Sequence, residues 1–531
     1  YHAVIANPPY MGGRNMSPRM SEWIKSHYSN AKSDLFSAFV IRCSELSVVD
    51  GYMGIMSPNV WMYISSHEGL RKYIFEKMAI LNLIELPLSG FKGATVQICA
   101  YNLINSNYRN LPGEYIRLVN ERGGDEEMAD FAKVAISNKG SINKFLASLE
   151  ELNGIPGLPI SYWASESVRD AFINGVPLGS VAMPRQGMAT TNNDLFVRRW
   201  HEVSYAKAKL NASGEAEAVD SKRKWFPYNK GGDYRKWYGN GEHFVNYEFG
   251  GKTICDYIDN TPGARVGSNG RVINRDKYFK ASVTWSFISS SYFGVRYSPP
   301  GFVFDVAGSS VFPDGEEIFQ ITGFLCSKVA SSFLSLLNPT LNFQVGNISS
   351  LPILGNALNT NDDAVRSAIG ISRDDWDSYE TSWNFTSFPL LRPDYRQPTL
   401  KATYQRLRAH WRDVTLAMQR LEQENNRIFI DAYGLQDELT PEVPLDEITL
   451  TCNPHYRYGG DKTEDALEGL LLADTMRELV SYAVGCMFGR YALDKPGLIL
   501  ANQGETIEDY LKQIPEPSFP ADDDNVIPML D

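Results

Sequence analysis

The sequence predicts an α/β protein whose amino-terminal sheet is followed by an α+β segment and a mainly helical carboxyl-terminal region. Three observations predict it. Strand-like and helix-like stretches alternate over residues 1–108; glycine, aromatic and basic residues rise together over 176–355; helical spacing with excess acid marks 356–531. The 531 residues are enough for about three domains, each with a sizeable core.

The first element is the apolar run Tyr1-His2-Ala3-Val4-Ile5-Ala6, which stops abruptly in Asn7-Pro8-Pro9-Tyr10. Two prolines forbid further ladder pairing and hold a stiff, extended loop at the strand's carboxyl end, where open α/β sheets bind ligands. Such a loop suits methylation of an exocyclic amine. The lone pair of an aromatic amino group is delocalised into the ring. Acceptors against both N–H bonds, the Asn7 side-chain oxygen and the Pro8 carbonyl, would draw the nitrogen toward tetrahedral geometry and free that pair. Pro8 has no N–H to compete, and Tyr10 could stack on a base swung out of a duplex. The plain alternative is a proline turn after a strand.

Lys32-Ser33-Asp34-Leu35-Phe36-Ser37-Ala38-Phe39 opens a helix running to about Val49 and closed by Asp50-Gly51. The strand Tyr52–Met56 ends in Ser57-Pro58-Asn59. A helix through Leu70–Phe75 leads to a strand at Ile80–Glu85. The loop Pro87–Ala94, which carries Phe91 beside two glycines, feeds the apolar strand Thr95–Ile104. Residues 109–175 read as a connector, with an acidic glycine-containing loop at Glu121–Glu127, a helix, and a proline turn around Pro156 and Pro159.

The formal charge of −12 conceals an uneven distribution: −1 over residues 1–180, +7 over 181–300 and −18 over 301–531. Three clusters account for the basic segment: Pro184–Asp194, Lys222–Tyr238 and Arg271–Lys280. Cations interleaved with amides and aromatics on loops suit phosphate contacts and base-edge donors. Three such clusters in one net-basic segment favour a nucleic-acid surface over a merely solvated charged face, with Arg185, Gln186, Asn192, Lys224, Lys230 and Arg235 as candidate contacts. Farther on, Leu400 to Ile430 reads as a helix of about eight turns ending at Tyr433-Gly434, either a brace for the preceding domain or a bundle core. Asp522-Asp523-Asp524 reads as a solvated tail.

Six cysteines lie scattered without C-x-x-C spacing, and seven histidines form no ligand pattern. This argues against a structural zinc site or disulfide framework, sets the expectation of no metal, and suits a reducing cytoplasm. No apolar run approaches a membrane span.

Asn-Pro-Pro-Tyr at a strand end is the signature of the N6-adenine DNA methyltransferases, and this chain resembles that family. The Asp34-Leu35-Phe36 helix, the Gly51–Asn59 stretch and Phe91 resemble its later motifs in order. The resemblance implies the carboxyl-terminal half of a Rossmann-like methyltransferase sheet, then an α+β target-recognition domain and a helical carboxyl-terminal region. It implies S-adenosylmethionine as cofactor, with Asp34 and Phe39 lining its pocket. It also implies a catalytic loop of Asn7, Pro8, Pro9 and Tyr10, with Phe91 opposite Tyr10 across the flipped adenine. The family's glycine-rich loop and ribose-gripping acid lie before Asn-Pro-Pro-Tyr and have no counterpart here. A chain that opens on Tyr1 inside a core strand is therefore expected to be half a catalytic domain, inactive alone.

Gln186–Asn192, the Lys224–Tyr238 block and Gly346-Asn347-Ile348-Ser349-Ser350-Leu351-Pro352-Ile353 resemble the target-recognition domains of large bacterial adenine methyltransferases. These include type IIG restriction-modification enzymes and the PglX-like methyltransferases of BREX phage defence. Glu424–Leu435 resembles their spacer helix. The expected organisation is a partial catalytic domain at 1–108, a connector at 109–175, recognition at 176–355, and helical spacer and terminal regions at 356–531. The implied partners are double-stranded DNA, other proteins of a phage-defence complex and phage-encoded DNA-mimic inhibitors, with no membrane. Two alternatives stand beside the methyltransferase: a recognition and assembly module within a defence complex, and a type IIG restriction enzyme whose metal-dependent nuclease would lie upstream.

Overall fold

The computed structural model describes residues 1–88, 96–138, 140–263, 266–289, 292–339, 342–355, 358, 362–523 and 529–530. The chain divides into two compact units. One comprises Tyr1–Val176 with Ser332–Thr340 and Ser350–Pro352; the other comprises Pro177–Ser331 with Leu341–Ser349 and Ile353–Asp531.

The first unit contains β1 (Ala3–Ala6), α1 (Pro18–His27), α2 (Leu35–Leu46), β2 (Tyr52–Pro58), α3 (Glu68–Lys77), β3 (Ala79–Glu85), β4 (Ile98–Ile104), β5 (Gly113–Arg117), α4 (Asp125–Ser137) and β6 (Lys144–Ala147). The strands form one sheet in the order β1-β2-β4-β3-β5-β6. β1 runs parallel to β2 and β3 parallel to β5, while β4 is antiparallel to both its neighbours. The carboxyl ends of β1, β2 and β3 therefore share one edge, and the loops that follow them converge there. Alternation fixes which residues enter the core: Met53 and Ile55 of β2 and Leu83 of β3 are buried against Phe36, Val40, Trp61 and Leu70.

The segment expected as a connector belongs to this unit. Its residues supply β5 and β6, and Arg71 fastens its proline turn. That guanidinium is 1% exposed and donates to the carbonyls of Gly157, Trp61 and Ile64, each at 2.8 Å. Burial pushes its pKa down to about 10, and carbonyls satisfy the charge in place of water. A charged loop and two prolines gave no strand signal, because β5 and β6 are short and take their register from β3.

The second unit holds two four-stranded sheets. In one, Trp225–Asn229 and His243–Asn246 lie centrally, flanked by Val303–Phe304 and Val197–Arg199. In the other, Ser282–Trp285 and Ser310–Phe312 lie between Val295–Ser298 and Met183–Arg185. The helix Leu400–Tyr433 starts on a Thr399 cap and stops at Gly434, whose φ of 65° ends it in the left-handed conformation. Its buried polar residues brace its neighbours: Asn425 donates to the carbonyl of Gly323, within the helix Glu317–Leu325, at 2.9 Å, and Glu422 accepts from Trp237 Nε1 at 2.9 Å. After a last return to the first unit over Ser350–Pro352, the chain stays in the second unit from Ile353 onward. Among the described residues no single helix is long and apolar enough to cross a membrane.

Candidate functional site

The edge formed by the strand ends carries the proline loop. Pro8 is buried and seats the loop, whereas Asn7 and Tyr10 are exposed. The Tyr10 hydroxyl donates to Asn7 Oδ1 at 3.2 Å, so the amide oxygen lies beside the hydroxyl edge of the ring and already accepts one hydrogen bond. The Tyr10 ring stands edge-on to Phe36, with centroids 6.3 Å apart.

Asp34 fixes the next turn. Its Oδ1 accepts from the Met11 amide at 3.0 Å and caps α2 through the Phe36 amide at 3.2 Å. Burial raises its pKa against these bonds. The structure thus gives Asp34 a job that the sequence did not suggest, tying the residue after Tyr10 to a helix N-terminus. Backbone bonds from Gly13 to Ser33 and from Leu35 to Met11, each 3.0 Å, complete the attachment.

Phe39 is 38% exposed and opens onto a cavity of about 660 Å³ between α1 and α2, lined also by Trp23, Tyr28, Leu35, Arg42 and Glu45. Tyr28 donates to Glu45 at 3.2 Å and Arg42 pairs with it at 2.9 Å. The cavity thus has an aromatic wall and a charged rim. Asp34 is not among the lining residues. Phe91 lies outside the described residues.

A second cluster at the same edge escaped the sequence reading. Glu85, at the end of β3 and 2% exposed, accepts from Asn59 Nδ2 at 2.8 Å, the Tyr63 hydroxyl at 2.9 Å and the Tyr162 hydroxyl at 2.9 Å. Arg117 lies 4.0 Å away, over the Trp163 ring. Burial and the Glu85 charge hold both tyrosines well above their ordinary pKa. Glu85 thereby ties the segment after β2 to the end of β3 and to Tyr162. The buried Cys99 nearby is pushed up to about 12 by burial, which makes it a poor nucleophile.

In the second unit the basic clusters separate into a surface and a core. Gly187 passes so close to the Phe304 carbonyl that a Cβ would lie 2.1 Å from its oxygen, and the loop 186–193 is moulded onto the sheet from there. Ala189 donates to the Arg271 carbonyl at 2.9 Å and Asn274 Nδ2 to the Gln186 carbonyl at 2.9 Å. Lys230 Nζ reaches Asn193 at 3.0 Å and Asp305 at 2.8 Å. The three clusters thus meet around one loop, with Gln186 and Arg271 exposed. Arg185 is half-buried against the Pro184 carbonyl. Asn192 caps the short helix after it, accepting from Leu195 at 3.1 Å and donating to the Tyr257 hydroxyl at 3.1 Å. Lys224 is half-buried, its ammonium 5.1 Å from the Trp225 ring centre.

Arg235 does not lie on that surface. It is 5% exposed, 3.4 Å from Asp375, bonded to Thr451 at 2.6 Å and placed over the Trp376 ring. Beside it the buried Lys236 pairs with Glu422, whose charge, against the cost of burial, holds the ammonium above its ordinary pKa. The expectation of a DNA contact by Arg235 is corrected. Its partner carboxylate lies 140 residues away in sequence, so the local pattern of cations among aromatics could not distinguish a buried ion pair from a phosphate contact.

Residues 1–91 match the family model of the Eco57I restriction-modification methylase. Over 523 residues the chain is 34% identical to the adenine-specific methyltransferase PglX of Lacticaseibacillus casei (strain Zhang), covering 97% of this chain and 42% of that protein. Over 541 residues it is 33% identical to the adenine-specific methyltransferase BrxX of Escherichia coli O9:H4 (strain HS), covering 100% and 42%. The chain thus spans less than half the length of these relatives. Among solved structures it is similar to the type IIL restriction-modification enzyme MmeI in complex with DNA, at 11% identity and a TM-score of 0.47 over 90% of this chain and 57% of the other, a likeness too distant to bear on function.

Proposed function

We propose that this chain is the part of a DNA adenine-N6 methyltransferase that holds the target base and recognises its sequence. The observation that carries the reading is the exposed loop Asn7–Tyr10 at the end of β1, with the Asn7 side-chain oxygen held beside the Tyr10 hydroxyl. The two adenine-specific relatives align with nearly the whole chain and support it.

On this reading a flipped adenine lies against Tyr10, and its 6-amino group replaces the Tyr10 hydroxyl at Asn7 Oδ1. The Pro8 carbonyl accepts the second N–H. Both acceptors concentrate lone-pair density on N6, perpendicular to the ring, as positive charge develops there. S-adenosylmethionine, when bound, would supply an electrophilic methyl group in exchange for one N6 proton. Asn7 Oδ1 and the Pro8 carbonyl would hold N6 with its lone pair free and would pass the displaced proton on toward solvent. No covalent bond to the protein is required. Phe39, Trp23 and Tyr28 would hold the cofactor's adenine.

In the second unit, Gln186, Asn192, Lys230 and Arg271 would face the duplex, joined by Arg185 and Lys224 at its margins. The larger assembly we propose is a phage-defence system in which methylation marks host DNA, with other defence proteins and DNA-mimic inhibitors as further partners and the cytoplasm as the compartment.

The test is transfer of a radiolabelled methyl group from S-adenosylmethionine to duplex DNA by the full-length protein containing this chain. Asn7→Ala is expected to lower the rate by at least about a hundredfold while DNA affinity stays within a few-fold. Near wild-type transfer would reduce Asn7–Tyr10 to a turn.

A further inference from the structure

Three consecutive residues of the second unit, Phe249, Gly250 and Gly251, have left-handed backbones, with φ of 52°, 70° and 75°. Glycine explains itself at two of them. A Cβ at Gly251 would lie 2.8 Å from the Tyr247 ring, and Gly250 is packed beneath Arg275, Glu215 and Val219. Phe249 does not. A bulky side chain is strained in this conformation, and strain of this kind persists where its surroundings over-determine it and function uses it. Burial gives no compensation, because the ring is 60% exposed and belongs to no core cluster or ring contact among the described residues.

The turn is held rigidly. Arg275 donates to the Gly250 carbonyl and to Glu215, and stacks over Tyr247, whose hydroxyl donates to Glu215 at 3.1 Å. Arg275 directly follows Asn274, which bonds the loop carrying Gln186, so the turn is tied to the surface where the basic clusters meet. On its other side the turn packs against Val219, the end of the helix from which Lys222 and Arg223 emerge. Both cations are exposed, and neither lies within ion-pair distance of a carboxylate among the described residues. Tyr247 closes the corner by donating to the Lys224 carbonyl at 2.9 Å. An exposed aromatic ring on a clamped turn, packed on the helix that leads into two unpaired cations, suits a polyanion with apolar stacking faces.

We propose that Phe249 is a wedge that enters a base step of duplex DNA, while Lys222 and Arg223 bind the flanking phosphates. This rests on the reading of the second unit as the recognition domain. Insertion of an apolar ring unstacks and kinks a duplex, which makes such a residue sensitive to the deformability of the step it enters. Phe249 would thus add selectivity for a flexible step without a hydrogen bond to any base.

The test uses the full-length protein and duplexes of about 30 base pairs carrying its methylated motif, with 5-iododeoxyuridine placed in turn at each thymine, a spacing that covers the expected footprint. Irradiation is expected to cross-link one position to the peptide containing Phe249. Phe249→Gly, which relieves the backbone strain, is expected to melt no earlier than wild type yet bind the duplex about ten- to a hundredfold more weakly, with Phe249→Trp retaining affinity. Cross-links confined to other peptides, or wild-type affinity in Phe249→Gly, would overturn the wedge while leaving the recognition domain standing. Failure of the wild-type protein to bind any duplex would overturn both readings together.

Discussion

The proline loop Asn7–Tyr10 and the block Lys222–Tyr238 both combine aromatic rings with groups that make strong polar contacts, yet the fold treats them oppositely. The loop lies at a sheet edge with only Pro8 buried, and its polar groups bond within the loop or remain open. The block runs from exposed Lys222 and Arg223 to Arg235 and Lys236, which are closed in by Asp375 and Glu422. The difference teaches where a short motif can be trusted. Prolines at a strand end dictate local backbone and hence exposure, whereas a run of cations and aromatics leaves exposure to partners elsewhere in the chain.

The sharpest way to break that comparison is to remove one member of the buried pairs. Lys236→Ala leaves Glu422 charged and unpaired in the core, and is expected to cost about 3–5 kcal/mol in the unfolding free energy of the second unit, read by chemical denaturation. A loss below about 1 kcal/mol would mean that the pair is solvated.

The first unit offers a pH test. His67 is 4% exposed, bonded to Ser37 at 2.9 Å and packed on Phe36, and burial lowers its pKa from 6.5 to about 4. The unfolded chain therefore binds the extra proton first, and the stability of the neutral imidazole, present above pH 6.5, is lost as pH falls toward 4. The expected loss is about 3 kcal/mol, and His67→Gln should flatten the profile across that window. An unaltered slope would place the acid sensitivity elsewhere.

The Glu85 clamp should respond more gently. Glu85→Gln puts an amide donor among three donors and weakens the pull on Arg117, for about 1–2 kcal/mol of stability and a larger fall in kcat than in DNA affinity. Equal losses in both would make the cluster purely structural.

The smallest effects belong to the surface. Lys230→Gln and Arg271→Gln are each expected to reduce the slope of log affinity against log salt by about one, since on the proposed reading each removes one phosphate contact. Arg235→Gln should change stability and leave that slope as it was.

Much of the first unit was legible because its signals are local. Apolar runs punctuated by Asn7-Pro8-Pro9 and Asp50-Gly51 predict β1 and the start of β2, and helical spacing predicts α2. The helix stops at Leu46 rather than Val49, because frayed ends depend on partners; β4 runs over Ile98–Ile104, and Thr95, where the strand is expected to begin, lies outside the described residues. What could not be read was set at a distance. β5 takes its place from pairing with β3, Asp34 is an N-cap as well as a motif residue, and Glu85 is one acid among many until Tyr63 and Tyr162 are brought to it. The long helix ends where Gly434 predicts, but its bracing role rests on Glu422 and Asn425, polar residues that helical spacing alone would assign to solvent.

The central claim is that the loop after β1 holds an adenine for methylation. Single-molecule sequencing of genomic DNA from cells expressing the full-length protein, beside cells expressing Asn7→Ala, tests it most directly. The account predicts modified adenine at one position of a single sequence motif in the first and none in the second. Modified adenine that survives Asn7→Ala, or none in either culture, would contradict it.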